Sequence, residues 1–288
     1  MAQHGETVLT RGSPTSITSQ LWYGEAIHAR RRPPSRPGAP RVAFVHGLEG
    51  TWDSWTGTAD RWATECDAYF LDLPWRAGGS YAWQHWGSSS TWLARALDLL
   101  PAPPDVLVAH SFGASTALDL LAREDRPLRA AVLIAPLFRP RDEAVNPAFF
   151  TEAVTRFRAV MSDGVLAQLG GRAGGMTPDL LGRMLDKVLS RAEPSGFLQL
   201  YTLLSRLPAL PLEAIGTPVL IVNGEHDPSA PPPAARELAR RLPAGRLAQR
   251  PEFGHFCQLD HAAEVTALIA GFLADVHSHA APEGGSDS

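Results

Sequence analysis

The stretch Ala109-His110-Ser111-Phe112-Gly113 sets a hydroxyl between an apolar, β-branched run and a helical pattern that begins at once. Small residues two before and two after the serine are what a very tight strand-to-helix reversal requires, because larger side chains would collide there. In such a turn the serine Oγ stands clear over the C-terminal edge of a sheet. The helix N-terminus beside it favours developing negative charge. A hydroxyl so placed is a candidate nucleophile, provided that a base takes its proton and an anion orients that base. Asp227 closes the apolar run "TPVLIVNGEHD", and His255 follows Gly254 in "RPEFGHFCQL", ahead of the last helical pattern. Glu225 is the alternative acid. A further run, "VAFVHGL", ends in His46-Gly47 and leaves the N–H of Leu48 free to join that of Phe112 as a two-donor oxyanion hole. Losing one such donor typically costs about 2.7–4 kcal/mol of transition-state stabilisation. Ser162-Asp163-Gly164 also reads Ser-x-Gly, but no strand precedes it and the bulky Val160 fills the first small position.

The elements needed to position these groups are legible as short apolar runs at 41–47, 68–74, 105–111, 129–136 and 217–227. Each has the form of a buried parallel strand. Helical patterns at about 88–100, 112–124, 233–242 and 258–275 alternate with them, which predicts a mostly parallel sheet with helices on both faces. Weaker strand signals lie near 7–11 and 18–25. "HARRRPPSRPGAP" (28–40) reads as a Pro/Arg-rich surface loop, and no function is assigned to Arg30-Arg31-Arg32. From 138 to 210 only helical segments occur, a cap inserted between two strands, where substrate selection is expected. The expected organisation is therefore core over 1–137, cap over 138–210, core again over 211–276, and a disordered tail over 277–288.

A nucleophile elbow, an acid and a base in the chain order Ser111, Asp227, His255, together with the 41–48 segment, resemble the α/β-hydrolase superfamily. The resemblance spans about residues 40–275 and is of the esterase and thioesterase kind with a helical cap. It implies Ser111 as nucleophile, His255 as general base and then acid, and Asp227 as its partner. Leu48 and Phe112 would supply backbone N–H groups. Ala109 departs mildly from the glycine usual at that position. Serine at position 111 argues against dehalogenase-like and dienelactone-hydrolase-like chemistry. His46, His110 and His226 are read as structural or merely adjacent, His46 as a group that fixes the oxyanion loop.

Composition bounds the function further. An apolar content of 44% with 19% charged residues describes a globular chain with a large core. The net charge of −4 offers neither a basic face for nucleic acid nor a polybasic membrane patch. Two cysteines, Cys66 and Cys257, are too few for a disulfide framework, and no signal peptide or apolar span is legible, so a cytoplasmic location is expected. No metal-ligand spacing and no phosphate loop occur, so no metal or other cofactor is expected. Seven of the eight tryptophans fall between Trp52 and Trp92, either as a pocket wall for a bulky group or as helix-to-sheet packing. Trp52 and Trp75 are the pocket candidates. The expected reaction is hydrolysis of an ester or thioester of a bulky apolar small molecule, free or carrier-bound, through an acyl-enzyme. Acyl transfer, cyclisation and elimination by the same site stay open, whereas a non-catalytic binding role is not favoured. "GHFCQL" resembles the Gly-His-Phe segment of editing thioesterases, which points to secondary metabolism, but "HGLEGTWDSW" departs from their pattern.

Overall fold

Short, unbroken apolar runs form the centre of a nine-stranded sheet in the computed structural model, which describes residues 8–9, 19–23, 27–62 and 66–280. The strands are β1 (Val8–Leu9), β2 (Ser19–Tyr23), β3 (Ile27–Arg32), β4 (Arg41–Val45), β5 (Asp67–Asp72), β6 (Val106–His110), β7 (Ala130–Ile134), β8 (Val219–Gly224) and β9 (Gly245–Arg250). Their spatial order is β1-β2-β3-β5-β4-β6-β7-β8-β9. The pairs from β5 onward are parallel, and the three N-terminal strands add on antiparallel.

The helices between these strands are α1 (Thr56–Trp62), α2 (Ser89–Asp98), α3 (Phe112–Leu121), α4 (Pro147–Leu169), α5 (Pro178–Ala192), α6 (Ser195–Arg206), α7 (Pro232–Arg241), α8 (Cys257–Asp260) and α9 (Ala262–Ala280). Side chains of successive strand residues point to opposite faces. Val45, Leu107, Leu133 and Ile221 accordingly pack with α2, α3 and α7. Phe44, Val108, Val132 and Val222 pack with α1 and α9 on the other face. With both faces covered, the central strands are buried along their length, save the half-buried Arg41 that opens β4, which is why they read as continuous apolar runs. Helices α4 to α6 lie between β7 and β8. No helix among the described residues is long and apolar enough to cross a membrane.

The expected loop at 28–40 is corrected in its first part, because Ile27–Arg32 is a strand paired with both β2 and β5. Ile27 and Ala29 face inward, while the arginines are held by acids and rings that periodicity does not reveal. Arg31 makes a two-pronged pair with Asp67 at 2.7 and 2.9 Å, Arg32 pairs with Asp60 at 2.9 Å, and Arg30 lies 4.0 Å over the Trp52 ring. The edge strand β9 was not expected; its burial is only partial and its sequence, Gly-Arg-Leu-Ala-Gln-Arg, carries little apolar pattern. The helix α9 continues to Ala280, so the expected tail from 277 begins inside it, where His277 contacts Arg129. Residues 281–288, like much of the weak strand signals at 7–11 and 18–25, lie outside the described residues.

Candidate active site

The reversal predicted at 109–113 is present. β6 stops at His110, Ser111 takes φ 53 and ψ −121, and α3 starts at Phe112. A non-glycine residue held in this region is a strained position that the surroundings must enforce. The enforcement is visible: the Ser111 N–H donates to Ile134 at 2.8 Å, and Ser115 N–H donates to the Ser111 carbonyl at 3.0 Å. A Cβ on Gly113 would stand 2.4 Å from the His46 carbonyl, so only glycine lets the two chains cross there. Ser111 occupies the N-cap position of α3 without its side chain capping the helix, which frees the Oγ.

That Oγ lies 2.8 Å from His255 Nε2, and His255 Nδ1 lies 2.7 Å from Asp227 Oδ2. All three residues are buried, at 6%, 5% and 2% exposure. Burial opposes charge on Asp227, but the adjacent imidazole and the N–H groups of Ser229 and Ala230 outweigh it and hold the carboxyl below its ordinary range. Those two amides bond Oδ1 at 2.9 and 3.2 Å. The "DPSA" sequence, an Asp-Pro turn opener, is the signal by which this support could have been foreseen. Glu225 is exposed, and its N–H pairs with Arg250 on the sheet edge.

Beside the serine, the chain turns at Gly47–Gly50, closed by Gly50 N–H to the Gly47 carbonyl at 3.0 Å. The amides flanking the two expected oxyanion donors are engaged: Glu49 with Trp75 at 2.9 Å, Gly50 with Gly47, and Ser111 with Ile134. The N–H groups of Leu48 and Phe112 have no such partner among the described residues. His46 Nδ1–H donates to Gly47 at 2.7 Å and its Nε2 accepts the Leu73 N–H at 3.0 Å, so it braces this loop from below. Burial holds His46 below the ordinary imidazole value.

His110 plays the matching part on the other side, with Nε2–H donating to the His255 carbonyl at 2.8 Å. Burial first, and then the neighbouring His255, push His110 down to about 3. A histidine depressed this far takes up its proton only in the unfolded chain between pH 6.5 and 3. Its contribution to stability is therefore complete above pH 6.5 and is lost as pH falls, by an amount on the order of 5 kcal/mol at the limit. Urea unfolding at pH 7.5, 6.5, 5.5 and 4.5 should show stability dropping across this window. In His110→Gln, which keeps a neutral donor, the slope should flatten without vanishing, since His46 is depressed in the same way.

Two cavities meet at Ser111. One encloses about 710 Å³, open mouth included, and is walled by Phe112, Leu137 and Phe138 and by Phe149 and Phe157 of α4 and Leu200 of α6, with Arg139, Glu143, Glu152 and Arg156 also on its lining. The other, of about 620 Å³, reaches Glu49, Gln168, Arg191 and Phe256. Val160 and Met161 of α4 line both and form the partition. Neither Trp52 nor Trp75 lines either cavity, which corrects the expectation for both. Trp52 is held between the Arg30 guanidinium and Phe70. Trp75 is buried, its Nε1–H donating to the His46 carbonyl at 3.2 Å while its ring meets Phe112 edge-on at 5.4 Å. Sequence reasoning missed the α4 to α6 side chains that do line the cavities, because a helix pattern does not say which face will meet the core. Cys257 is buried and pushed up to about 12 by desolvation, so it is a packing group. Among the described residues no group of three or more His, Cys, Asp and Glu side chains could hold a metal ion.

Comparison with known proteins places the chain in a family. Over 250 residues the chain is 25% identical to a pimeloyl-[acyl-carrier protein] methyl ester esterase of Nitrosospira multiformis, covering 81% of this chain and 94% of that protein. A shorter stretch of 44 residues, 15% of each chain, is 46% identical to rhodomycin D methylesterase DnrP of Streptomyces peucetius. A thermophilic esterase of Thermogutta terrifontis superposes with a TM-score of 0.58 at 18% identity, over 96% of this chain and all of that one, a likeness of fold. The model of the alpha/beta hydrolase family matches residues 42–268, and the chain belongs to that family.

Proposed function

We propose that this protein is a serine hydrolase that cleaves an ester of a bulky, mainly apolar acyl group through an acyl-enzyme. The observation that carries the reading is the continuous hydrogen-bonded line from Ser111 Oγ through His255 to Asp227, opening into a mainly apolar cavity. In this reading His255 Nε2 takes the hydroxyl proton as Oγ attacks the carbonyl carbon. The N–H groups of Leu48 and Phe112 receive the negative oxygen. The imidazolium then protonates the leaving oxygen, and water deprotonated by the same nitrogen releases the acid. Asp227 keeps the Nδ1 proton in place, so that Nε2 is bare when the substrate arrives.

The two cavities fit the two halves of an ester, with the partition at Val160 and Met161 facing the scissile bond. Phe149, Phe157 and Leu200 supply the apolar wall for a large acyl group. Two of the similar proteins are named as enzymes of methyl esters, one on an acyl-carrier-protein substrate and one on rhodomycin D. These names favour a methyl ester of a bulky acid, free or carrier-bound, in secondary metabolism, with α4 to α6 as the cap that selects it. A thioester would use the same groups.

A fluorophosphonate probe should label the native protein and leave Ser111→Ala unlabelled, and the native enzyme should turn over p-nitrophenyl and methyl esters. Equal labelling of both proteins would remove Ser111 as nucleophile. Labelling without turnover of any ester or thioester would overturn hydrolysis in favour of transfer, ring closure or elimination.

A further inference from the structure

The turn that carries the Leu48 N–H has glutamate where a glycine would be at ease. Glu49 sits at φ 55 in the third position of the Gly47–Gly50 turn, a left-handed conformation that glycine adopts without strain. A strained non-glycine residue persists where its surroundings over-determine it. Glu49 is 6% exposed, and both of its carboxylate oxygens are engaged. Oε1 accepts the Tyr81 hydroxyl at 2.8 Å, and Oε2 pairs with the guanidinium of Arg191, in the last turn of the cap helix α5. The Glu49 carbonyl accepts from Gln168 of α4 at 3.4 Å. The third cap helix closes over the same cluster: a Cβ on Gly196 of α6 would stand 2.6 Å from the Tyr81 hydroxyl. Among the described residues Glu49 is the one carboxylate within ion-pair distance of Arg191, whose buried Nε has no partner.

Two cap helices, α4 and α5, thus reach the residue next to a proposed oxyanion donor, and the third, α6, packs on its partner Tyr81. Building on the serine-hydrolase reading above, we infer that Glu49 is a positioning residue whose pairing with Arg191 and Tyr81 holds the Leu48 N–H in register, so that the oxyanion hole is fully formed only while the cap is docked. The carboxylate touches no reacting atom and acts through the turn. Without it the left-handed backbone keeps only its main-chain hydrogen bonds, from the Glu49 N–H to Trp75 and from Gly50 to Gly47, and the turn relaxes away from the place where the oxyanion forms. A side chain that served stability alone would not produce the same pattern, because its loss would not single out the charged transition state.

The test uses Glu49→Gln, Arg191→Met and the double variant with p-nitrophenyl acetate, whose small acyl group keeps clear of the cavity walls. Removing one oxyanion donor costs roughly 10²–10³ in kcat, and displacing one should cost about 10–100-fold. Each single variant should lose that much kcat with KM within about twofold. Affinity for a boronic acid that mimics the tetrahedral species should fall by the same factor. The double variant should be no worse than Glu49→Gln alone, since both substitutions break one unit. Arg191→Met, at a half-exposed helix end, keeps the test open if Glu49→Gln fails to fold. Wild-type kcat in the Arg191 variant, or losses that multiply in the double, would overturn the inference while probe labelling of Ser111 stands. Absence of labelling in the native protein would instead remove the hydrolase reading on which it rests.

Discussion

Asp227→Asn should lower kcat by about 10⁴ with KM and thermal stability near those of the native protein, the size of loss that this exchange causes in other Ser-His-Asp sites. The argument turns on which oxygen of the carboxylate does what. Oδ1 is pinned by the N–H groups of Ser229 and Ala230, and Oδ2 faces His255 Nδ1. Asparagine must keep its oxygen toward the two amides, because the reverse orientation would set an NH₂ against two N–H donors. Its NH₂ therefore points at Nδ1, which must accept, and the imidazole proton moves to Nε2. An Nε2–H cannot take the proton of Ser111. The fold is kept because shape and hydrogen-bond count are nearly unchanged. Kinetics on a p-nitrophenyl ester, with circular dichroism melting as the control, check this. A loss below about 100-fold would move the acid to Glu225, the alternative that the sequence left open.

The site was more legible than its walls, and the reason is physical. Ser111, Asp227 and His255 each sit at an abrupt change of pattern, an apolar strand ending or a glycine preceding a helix, and such punctuation survives in a linear string. The central parallel strands were legible because burial on both faces makes them unbroken apolar runs. Strand β3 hid behind three arginines whose neutralising acids, Asp60, Asp67 and Asp72, lie at least 28 positions away. Strand β9 lies on an edge, where pairing to one neighbour is enough and an apolar pattern is not demanded. Trp52 and Trp75 share a composition signal with true pocket residues. Which face a tryptophan presents is decided by a cation above one ring and a carbonyl beside the other, neither of which spacing encodes. Glu49 was passed over because a glutamate in "HGLEG" reads as an exposed turn residue until the cap helices are placed on it.

Gly224→Ala is expected to cost about 3 kcal/mol of stability and about 10² in kcat at once, a pairing that few single methyl groups produce. Gly224 closes β8, three residues before Asp227, and its backbone φ is unremarkable, so no left-handed conformation is at stake. What is at stake is space. A Cβ there would stand 1.8 Å from the Phe253 carbonyl oxygen, whereas ordinary contact begins near 3.4 Å. The backbone of 251–254 must therefore retreat by about 1.6 Å, the difference between those distances, and it carries His255 with it. A shift of that size breaks the 2.8 Å contact between Nε2 and Ser111 Oγ, and misplacement by about 1 Å is enough for a 10²-fold loss. Phe253 is itself buried against the α9 side of the sheet, so the retreat also opens the core, and a melting point about 6–10 °C lower follows for a domain of this size. Gly254→Ala is the matched control, one residue nearer to His255 but with no atom within 4 Å of its added methyl. It should leave both melting point and kcat close to wild type. If the two alanine variants behaved alike, the close crossing of β8 beneath the histidine loop would have no part in placing the base.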